Sequence, residues 1–190
     1  TGCGIAKFKI RNPPSVSHTL NYDANGGTVN EVSDENNPNG YKIIDTSDYF
    51  IQYNLDQNKY LHASGANNYG PNSVIWNNYS SSAPQTIWTF ERYKDTPYYY
   101  IFNRMSGKAL NLSGDGDGVT DELQLYRQLN ADDSQCQDFL WYLIDEGDGW
   151  VSIVNKKTNK AIDCYGGGTD NGSAVNTYTV NHTSAQKWKL

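Results

Sequence analysis

An acid, an aromatic ring and a primary amide follow one another at set distances near the end of this chain. Tyr178 comes 15 residues after Asp163, and Gln186 comes 8 residues after Tyr178. An ionised carboxylate accepts hydrogen bonds from two neighbouring hydroxyl groups, and the face of an aromatic ring packs against C–H groups. Together these residue types could bind a ligand that offers hydroxyl donors to the acid and an apolar surface to the ring.

These residues belong to a pattern that occurs three times. Each copy has an Asn, four residues, a Lys, one residue, and then Leu or Ile; an aromatic residue follows, and then a Gln that leads into a Trp. The copies begin at Asn54, Asn103 and Asn155, which are 49 and 52 residues apart. A repeat this regular indicates one supersecondary unit used three times.

The segments that must position these residues have the composition of β-strands. Residues 98–102 and 150–154 are rich in aromatic and β-branched side chains, and clusters of Gly, Asn, Asp and Ser bound them. No apolar period of 3.6 residues runs for three turns. The chain is therefore predicted to be all-β, with three internal repeats at about 47–92, 96–145 and 148–190.

The repeated motifs resemble those of a known family. A Gln-x-Trp signature is intact at 186–188 and stretched at 85–88 and 137–141, and the third repeat adds Gly166-Gly167-Gly168 and the run from Asn176 to Tyr178. On these motifs residues 47–190 resemble the ricin-B-type β-trefoil lectin family. The resemblance implies a β-trefoil of three repeats with an N-terminal extension, and a carbohydrate-binding function without catalysis.

The resemblance also implies a role for each position of the site. The acid accepts hydrogen bonds from two sugar hydroxyls, the aromatic ring stacks under the apolar face of the sugar, and the Gln supports the acid. The third repeat matches this pattern and is expected to hold the main site. It departs from the family at Ala185, where an Asn is common, and Asn181 or His182 are candidates for the missing contact. The main site residues are Asp163, Asn176, Tyr178 and Gln186.

The other two repeats have weaker residues in place of the acid. The second has an amide there, which accepts a hydrogen bond without charge assistance, and the first has an imidazole. A weaker second site and a doubtful first site are expected. The candidates of the second repeat are Asn111, Gln124, Tyr126 and Gln137. Those of the first repeat are His62, Trp76 and Gln85.

The remaining repeated residues are expected to be structural. A Trp just inside a strand is normally part of the core, which applies to Trp88, Trp141 and Trp188. The repeated Asn is expected to close a turn, and the repeated Lys to extend into solvent. The chain has 3 cysteines, Cys3, Cys136 and Cys164, which cannot all pair within it, so small-residue packing is the favoured role of the last two.

Composition limits the partners. The 190 residues carry a net charge of −6, which argues against nucleic acid as a partner. No apolar run approaches the roughly 20 residues of a membrane span, so direct membrane insertion is not expected. The family resemblance implies galactose- or N-acetylgalactosamine-type glycans as partners, free or on glycoproteins and glycolipids. No cofactor or metal is expected.

Residues 1–46 lie outside the repeats. Residues 4–10 alternate like a strand, and Pro, Asn and Gly at 12–15 and 36–40 are typical of turns or linkers. The segment is predicted to be a strand and linker from the tail of a preceding domain, with a hairpin packed on the trefoil as the alternative. By resemblance, the module is expected to be secreted and covalently joined to a toxin or a glycoside hydrolase.

Two other functions stay open at this point. A β-trefoil that has lost sugar binding could contact a receptor, a toxin subunit or a protease. A catalytic fragment would need paired carboxylates about 5–10 Å apart, for which the pairs Asp115/Asp117 and Asp121/Glu122 are candidates, although a solvated loop is the favoured interpretation. The Asp-Gly-Asp-Gly run at 115–118 also weakly resembles a calcium loop. No His lies in a recognisable triad motif.

Overall fold

The computed structural model describes residues 43, 47–64, 70–71, 73–76, 83–113, 121–127 and 134–190. In this part of the chain there are fourteen strands, four short 3₁₀ helices and no α-helix, as predicted for an all-β chain. The strands are β1 (Asp48–Phe50), β2 (Gln52–Tyr53), β3 (Tyr60–Ala63), β4 (Gly70–Pro71), β5 (Ser73–Trp76), β6 (Ile87–Arg92), β7 (Tyr99–Asn103), β8 (Ala109–Leu112), β9 (Asp121–Tyr126), β10 (Trp141–Gly147), β11 (Trp150–Asn155), β12 (Lys160–Cys164), β13 (Val175–Thr179) and β14 (Trp188–Lys189). The 3₁₀ helices are Pro84–Thr86, Ser134–Phe139, Tyr165–Gly167 and Ser184–Gln186.

The strands form three equivalent units. Each unit contains one antiparallel hairpin that carries the candidate site positions: β3 with β5, β8 with β9, and β12 with β13. The pairs β6–β7 and β10–β11 join successive units. Strand β14, near the end of the chain, pairs with β2 of the first unit, so the three units close on one another. The predicted three-repeat β-trefoil is confirmed.

The three repeated tryptophans lie at the centre of the core. Each is 0% exposed, as predicted, and each indole N–H donates to a backbone carbonyl at 2.9, 2.9 and 3.1 Å. That carbonyl always belongs to the residue just before the candidate acid position. The core residue therefore also fixes the strand that carries the site. The pairs are Trp88 with Leu61, Trp141 with Leu110, and Trp188 with Ile162.

The repeated asparagine closes a turn in the third repeat, as predicted, and there and in the second repeat it also binds the preceding segment. Asn155 Oδ1 accepts from the backbone N–H of Lys157 at 2.9 Å. Its Nδ2 donates to the carbonyls of Asp138 at 3.0 Å and Leu140 at 3.3 Å. Asn103 makes the same two bonds, at 3.0 and 3.4 Å, to the carbonyls three and one residues before the Trp of the first repeat. These bonds define which residues of the repeats are equivalent.

The prediction that the repeated lysines extend into solvent is wrong for Lys160. Its Nζ lies 2.6 Å from Asp121 Oδ2, and the two side chains are only 14% and 5% exposed. The reason is tertiary: β9 of the second repeat pairs with β13 of the third, and this brings Asp121 next to β12. The interpretation of Asp121 and Glu122 as a solvated loop is wrong as well, since both lie in β9. Asp115 and Asp117 are outside the described residues.

The two described cysteines are buried and free, in agreement with a packing role. Burial raises the pKa of the Cys164 thiol to about 11, which keeps it neutral. Of the predicted N-terminal segment only Ile43 is described, and it packs against the core. No helix in the described part of the chain is long and apolar enough to span a membrane.

Candidate functional site

The hairpin of β12 and β13 brings three of the predicted third-repeat residues to one face. Asp163 is directly opposite Asn176, and Tyr178 is opposite Ala161, two residues before Asp163. Because side chains alternate along a strand, Asp163, Asn176 and Tyr178 all project to the same side of the hairpin. The intervening residue, Ile162, is 0% exposed and belongs to the core. The register of one hairpin therefore assembles an acid, an amide and a ring.

Gln186 lies under this face and holds the acid. It is 0% exposed, and its Nε2 donates to Asp163 Oδ2 at 3.0 Å and to the Thr179 carbonyl at 2.9 Å. Its Oε1 accepts from the backbone N–H of Asn181 at 2.9 Å. Oδ1 of Asp163 takes no hydrogen bond from the described residues, so it is available to a ligand.

The environment of Asp163 is largely uncharged. The residue is 8% exposed, and burial raises the pKa of its carboxyl group, with the Gln186 hydrogen bond opposing this only in part. Among the described residues no Lys, Arg or His forms an ion pair with it. A buried carboxylate without a cation is costly, and such a cost is typical of a group kept for binding or catalysis.

A depression of about 270 Å³ opens over this face, which we call the third-repeat pocket. It is slightly smaller than the roughly 300–1,000 Å³ of pockets for drug-sized ligands. The Tyr178 ring is 37% exposed, and Asn176 Oδ1 is buried without a hydrogen-bond partner. The pocket is lined by Asp163, Tyr165, Gly166, Gly167, Asn176, Tyr178, Asn181, Thr183 and Ala185.

The two residues considered as replacements for the missing contact at Ala185 have different positions. Asn181 lines the pocket, and its side-chain oxygen accepts from the Thr183 backbone N–H at 3.0 Å and hydroxyl at 2.8 Å. His182 is turned away, with its Nδ1 2.7 Å from Glu146 Oε1. Asn181 is therefore the better candidate.

The second repeat has the same hairpin but a different support. Asn111 is opposite Gln124, and Tyr126 is opposite Ala109, as in the third repeat. Gln137, however, is exposed, because two extra residues separate it from its Trp.

The residue two before the Trp is Phe139, which is 1% exposed and forms a cluster against which Tyr126 packs. Phe139 therefore occupies the position that Gln186 has in the third repeat, and the alignment that equated Gln137 with Gln186 is corrected. The Oδ1 of Asn111 is buried without a partner.

The first repeat departs further. His62 is opposite Val74, so its hairpin has no amide at the position of Asn176. Burial lowers the pKa of the His62 imidazole, which favours the uncharged ring. Trp76 of β5 is opposite Tyr60 of β3, and the side chain of Trp76 is outside the described part of the structure.

The residue equivalent to Gln186 here is Thr86, not Gln85. Thr86 ends the 3₁₀ helix two residues before the Trp, is 0% exposed, and donates to the Ala83 carbonyl at 2.8 Å. The structure thus brings a complete acid, amide, ring and supporting Gln together in the third repeat alone among the described hairpins.

Sequence reasoning missed two pocket residues, Tyr165 and Thr183. Tyr165 follows the Asp-Cys pair and precedes the glycine run, and an aromatic residue next to such a turn was the available signal. Thr183 carried no signal.

In the described residues no group of three His, Cys, Asp or Glu side chains could hold a metal ion.

Three β-strand units that close on one another define a β-trefoil domain, and one of its hairpins carries an acid, an amide and a ring on the same face. The chain belongs to the family described as ricin-type β-trefoil lectin domain-like, whose model matches residues 41–126 and 128–190. No curated protein matched the sequence.

Solved structures show the same fold. The designed threefold-symmetric protein ThreeFoil is 25% identical, with a TM-score of 0.66 over 75% of this chain and 96% of that one. An exo-β-1,3-galactanase from Clostridium thermocellum is 21% identical, with a TM-score of 0.63 over 78% of this chain and 31% of its own length. A Macrolepiota procera ricin B-like lectin in complex with lactose is 18% identical, with a TM-score of 0.62 over 78% and 97%. The chain thus spans about a third of the galactanase.

Proposed function

We propose that this chain is a non-enzymatic lectin module that binds galactose- or N-acetylgalactosamine-type glycans in the third-repeat pocket. Asp163 accepts hydrogen bonds from two adjacent sugar hydroxyls, and the exposed face of Tyr178 packs against the C–H face of the ring. The observation that carries the proposal is the buried Gln186, which orients Asp163 Oδ2 at 3.0 Å beneath a pocket that Tyr178 lines.

The polar groups of the pocket favour a ligand rich in neutral donors. Asp163 Oδ1 is an acceptor that the described residues leave unbonded. An apolar ligand would leave it unsatisfied, at about 1–3 kcal/mol. An anionic ligand would be repelled by the carboxylate. Neighbouring hydroxyls on one ring can satisfy the carboxylate.

Galactose-type rings offer both kinds of group that an acid and an aromatic ring can bind. Their axial 4-hydroxyl leaves adjacent C–H groups on one face of the ring, while the 3- and 4-hydroxyls lie side by side at its edge. The Macrolepiota procera lectin has the same fold, and its structure contains lactose, which is a galactoside. That complex supports the choice of a galactose-type ligand. A shallow single site is expected to bind a monosaccharide with a Kd on the order of 0.1–10 mM, which corresponds to a binding free energy of about −5.5 to −2.7 kcal/mol.

Such weak binding is useful when the module is attached to something else. The galactanase, of which this chain spans 31%, carries this fold within a larger enzyme. We therefore propose that the module is secreted and directs a covalently joined toxin or hydrolase to glycan-bearing surfaces. Repeated modules or multiple copies would supply avidity through effective concentration.

A glycan array tests the proposal. The chain is presented multivalently beside Asp163→Ala and beside Asn111→Ala, the matched change in the second repeat, with folding of each checked by circular dichroism. Binding to galactose- or N-acetylgalactosamine-terminated glycans is expected for the parent and for Asn111→Ala, and its loss for Asp163→Ala. A folded multivalent sample that binds no glycan would overturn the lectin function and favour a protein-binding β-trefoil. Loss in Asn111→Ala alone would move the site to the second repeat.

A further inference from the structure

The exposed apolar side chains of the described residues are concentrated around the third-repeat pocket. Four large ones are exposed: Leu55 at 47%, Met105 at 36%, Tyr165 at 65% and Tyr178 at 37%. Tyr165 and Tyr178 both line the pocket. Leu55 is next to it, since a methyl group on Gly167 would lie 3.4 Å from Leu55 Cδ1. Single exposed apolar residues need no explanation, but a group of them beside a polar pocket indicates a binding surface.

The backbone of Tyr165 is held in place by the turn that follows it. Its N–H donates to the Ala174 carbonyl at 2.9 Å, and its carbonyl accepts from the Gly168 N–H at 3.3 Å. Gly166 and Gly167 have φ values of 63° and 67°, a backbone conformation that residues other than glycine rarely adopt. The exposed ring is thus presented by a defined turn, so that less entropy is lost when a ligand packs against it.

A single sugar bound to Asp163 does not require the Tyr165 ring. Tyr178 lies on the hairpin face with Asp163 and supplies the stacking surface for that sugar, whereas Tyr165 belongs to the turn after β12, beside Leu55 of the first repeat. Two aromatic surfaces on different elements, joined by one pocket, suit a ligand with two connected rings.

We propose that Tyr165, in the turn whose Gly167 lies next to Leu55, forms a second subsite for the sugar residue linked to the one held by Asp163 and Tyr178. The ligand is then a disaccharide or a longer glycan, and the linkage between its first two rings determines specificity. This inference rests on the proposed lectin function. The ligand at the subsite is a sugar because Asn181 and Thr183 add polar groups to the same pocket.

Titration of the folded chain with matched ligands tests the subsite. Isothermal calorimetry compares methyl β-galactoside with a panel of β1,3-, β1,4- and α1,6-linked galactosyl disaccharides, and with octyl β-galactoside as an apolar control. One linkage is expected to bind about 3- to 10-fold more tightly than the methyl glycoside, which is the gain of one stacked ring. Tyr165→Ala should abolish this gain, so that the disaccharide and the methyl glycoside bind the variant with the same Kd. Tyr165→Phe should keep it, and Met105→Ala is the matched exposed control.

The other outcomes separate the two proposals. Equal weakening of the methyl glycoside and the disaccharide by Tyr165→Ala would place Tyr165 in the primary site and overturn the subsite. The subsite is also overturned if no disaccharide gains affinity, or if octyl galactoside gains as much and loses it in Tyr165→Ala. In all these cases Asp163-dependent binding of the methyl glycoside keeps the lectin function intact. If no sugar binds the folded parent, both proposals fail.

Discussion

The hairpins of the second and third repeats have the same register and differ in what lies beneath them. Asn111 faces Gln124 as Asp163 faces Asn176, and both strands are fixed by an indole N–H at 2.9 or 3.1 Å. Under the third hairpin lies a buried amide, and under the second a buried Phe139. The Trp, which the fold needs, is therefore common to both hairpins, while the polar support that a site needs is present in only one of the two.

The largest effect is expected where the two repeats are equivalent. Trp188→Ala and Trp141→Ala each remove a side chain that is 0% exposed and a hydrogen bond to the site strand. Each should lower the free energy of unfolding by about 3–5 kcal/mol, as measured by urea denaturation. A nearly unchanged free energy of unfolding in either variant would contradict the equivalence of the two tryptophans in the core.

Replacing a glutamine by methionine should have a large effect at Gln186 of the third repeat and almost none at Gln137 of the second. Gln186→Met keeps the side-chain length but removes the donor to Asp163 and the acceptor of the Asn181 N–H. We expect a loss of about 1–3 kcal/mol in stability and a weakening of galactoside binding by about tenfold.

Gln137→Met is the matched control for this change, because Gln137 is exposed. It should leave the stability within about 0.5 kcal/mol of the parent and leave binding unchanged. Urea denaturation and calorimetry on both variants give the two readouts. Equal effects of the two changes would contradict the structural alignment of the repeats.

The same positions show how far the sequence could lead. Periodic residues such as Trp88 and Asn155 predict a repeat unit because every copy must bury the same core and close the same turn. The candidate residues of the third repeat could be selected for a related reason: packing of the core does not require an acid or an exposed ring at these positions, so their occurrence there favours a function.

What the sequence missed depends on three-dimensional neighbours. The spacing of Gln137 from its Trp suggested a stretched signature, whereas the asparagine bonds place Phe139 in the supporting position. Likewise Lys160 is paired because a strand of another repeat brings Asp121 within 2.6 Å. Both depend on packing between segments that are distant in sequence, which no local pattern contains.

Replacing the acid Asp163 by the amide Asn should have opposite effects on galactoside affinity and on the stability of the fold. Asp163→Asn retains an oxygen that can accept from Gln186 but removes the charge, so galactoside affinity should fall by about tenfold or more. The carboxyl pKa is raised by burial, so the ionised group opposes folding at neutral pH. The variant is therefore expected to be more stable than the parent by about 0.5–1 kcal/mol.

The pH dependence follows from the direction of that shift. As pH rises from the ordinary carboxyl pKa to the raised pKa of the folded state, only the unfolded chain loses its proton, so the parent should lose stability across this window. Sugar binding should change in the reverse direction and weaken as pH falls through the raised pKa. Asp163→Asn should show neither slope, and persistence of both in the variant would assign them to another group. Asn111→Asp is the reverse exchange, and it should lower stability at neutral pH.

The smallest effect is expected in the loop that carries Asn181 and Thr183 over the third-repeat pocket. His182 in this loop lies 2.7 Å from Glu146 of β10, which also accepts from Ser152 at 2.7 Å and lies 3.5 Å from Lys187 Nζ. Burial would raise the Glu146 pKa, but these hydrogen bonds and charges outweigh it and lower it. The stabilisation is therefore fully present above the ordinary Glu pKa and is lost as pH falls through the lowered pKa of the folded state.

Glu146→Gln should remove that acid dependence and cost about 1 kcal/mol or less at neutral pH, because His182 is 58% exposed and water weakens its interaction with Glu146. Since the same loop supplies the Asn181 N–H that Gln186 binds, galactoside affinity should fall only about two- to threefold, through a less ordered loop. Acid titration of thermal stability, with calorimetry at neutral pH, measures both. A loss of binding as large as that of Gln186→Met would mean that the loop, and not the support beneath Asp163, distinguishes the third repeat from the second.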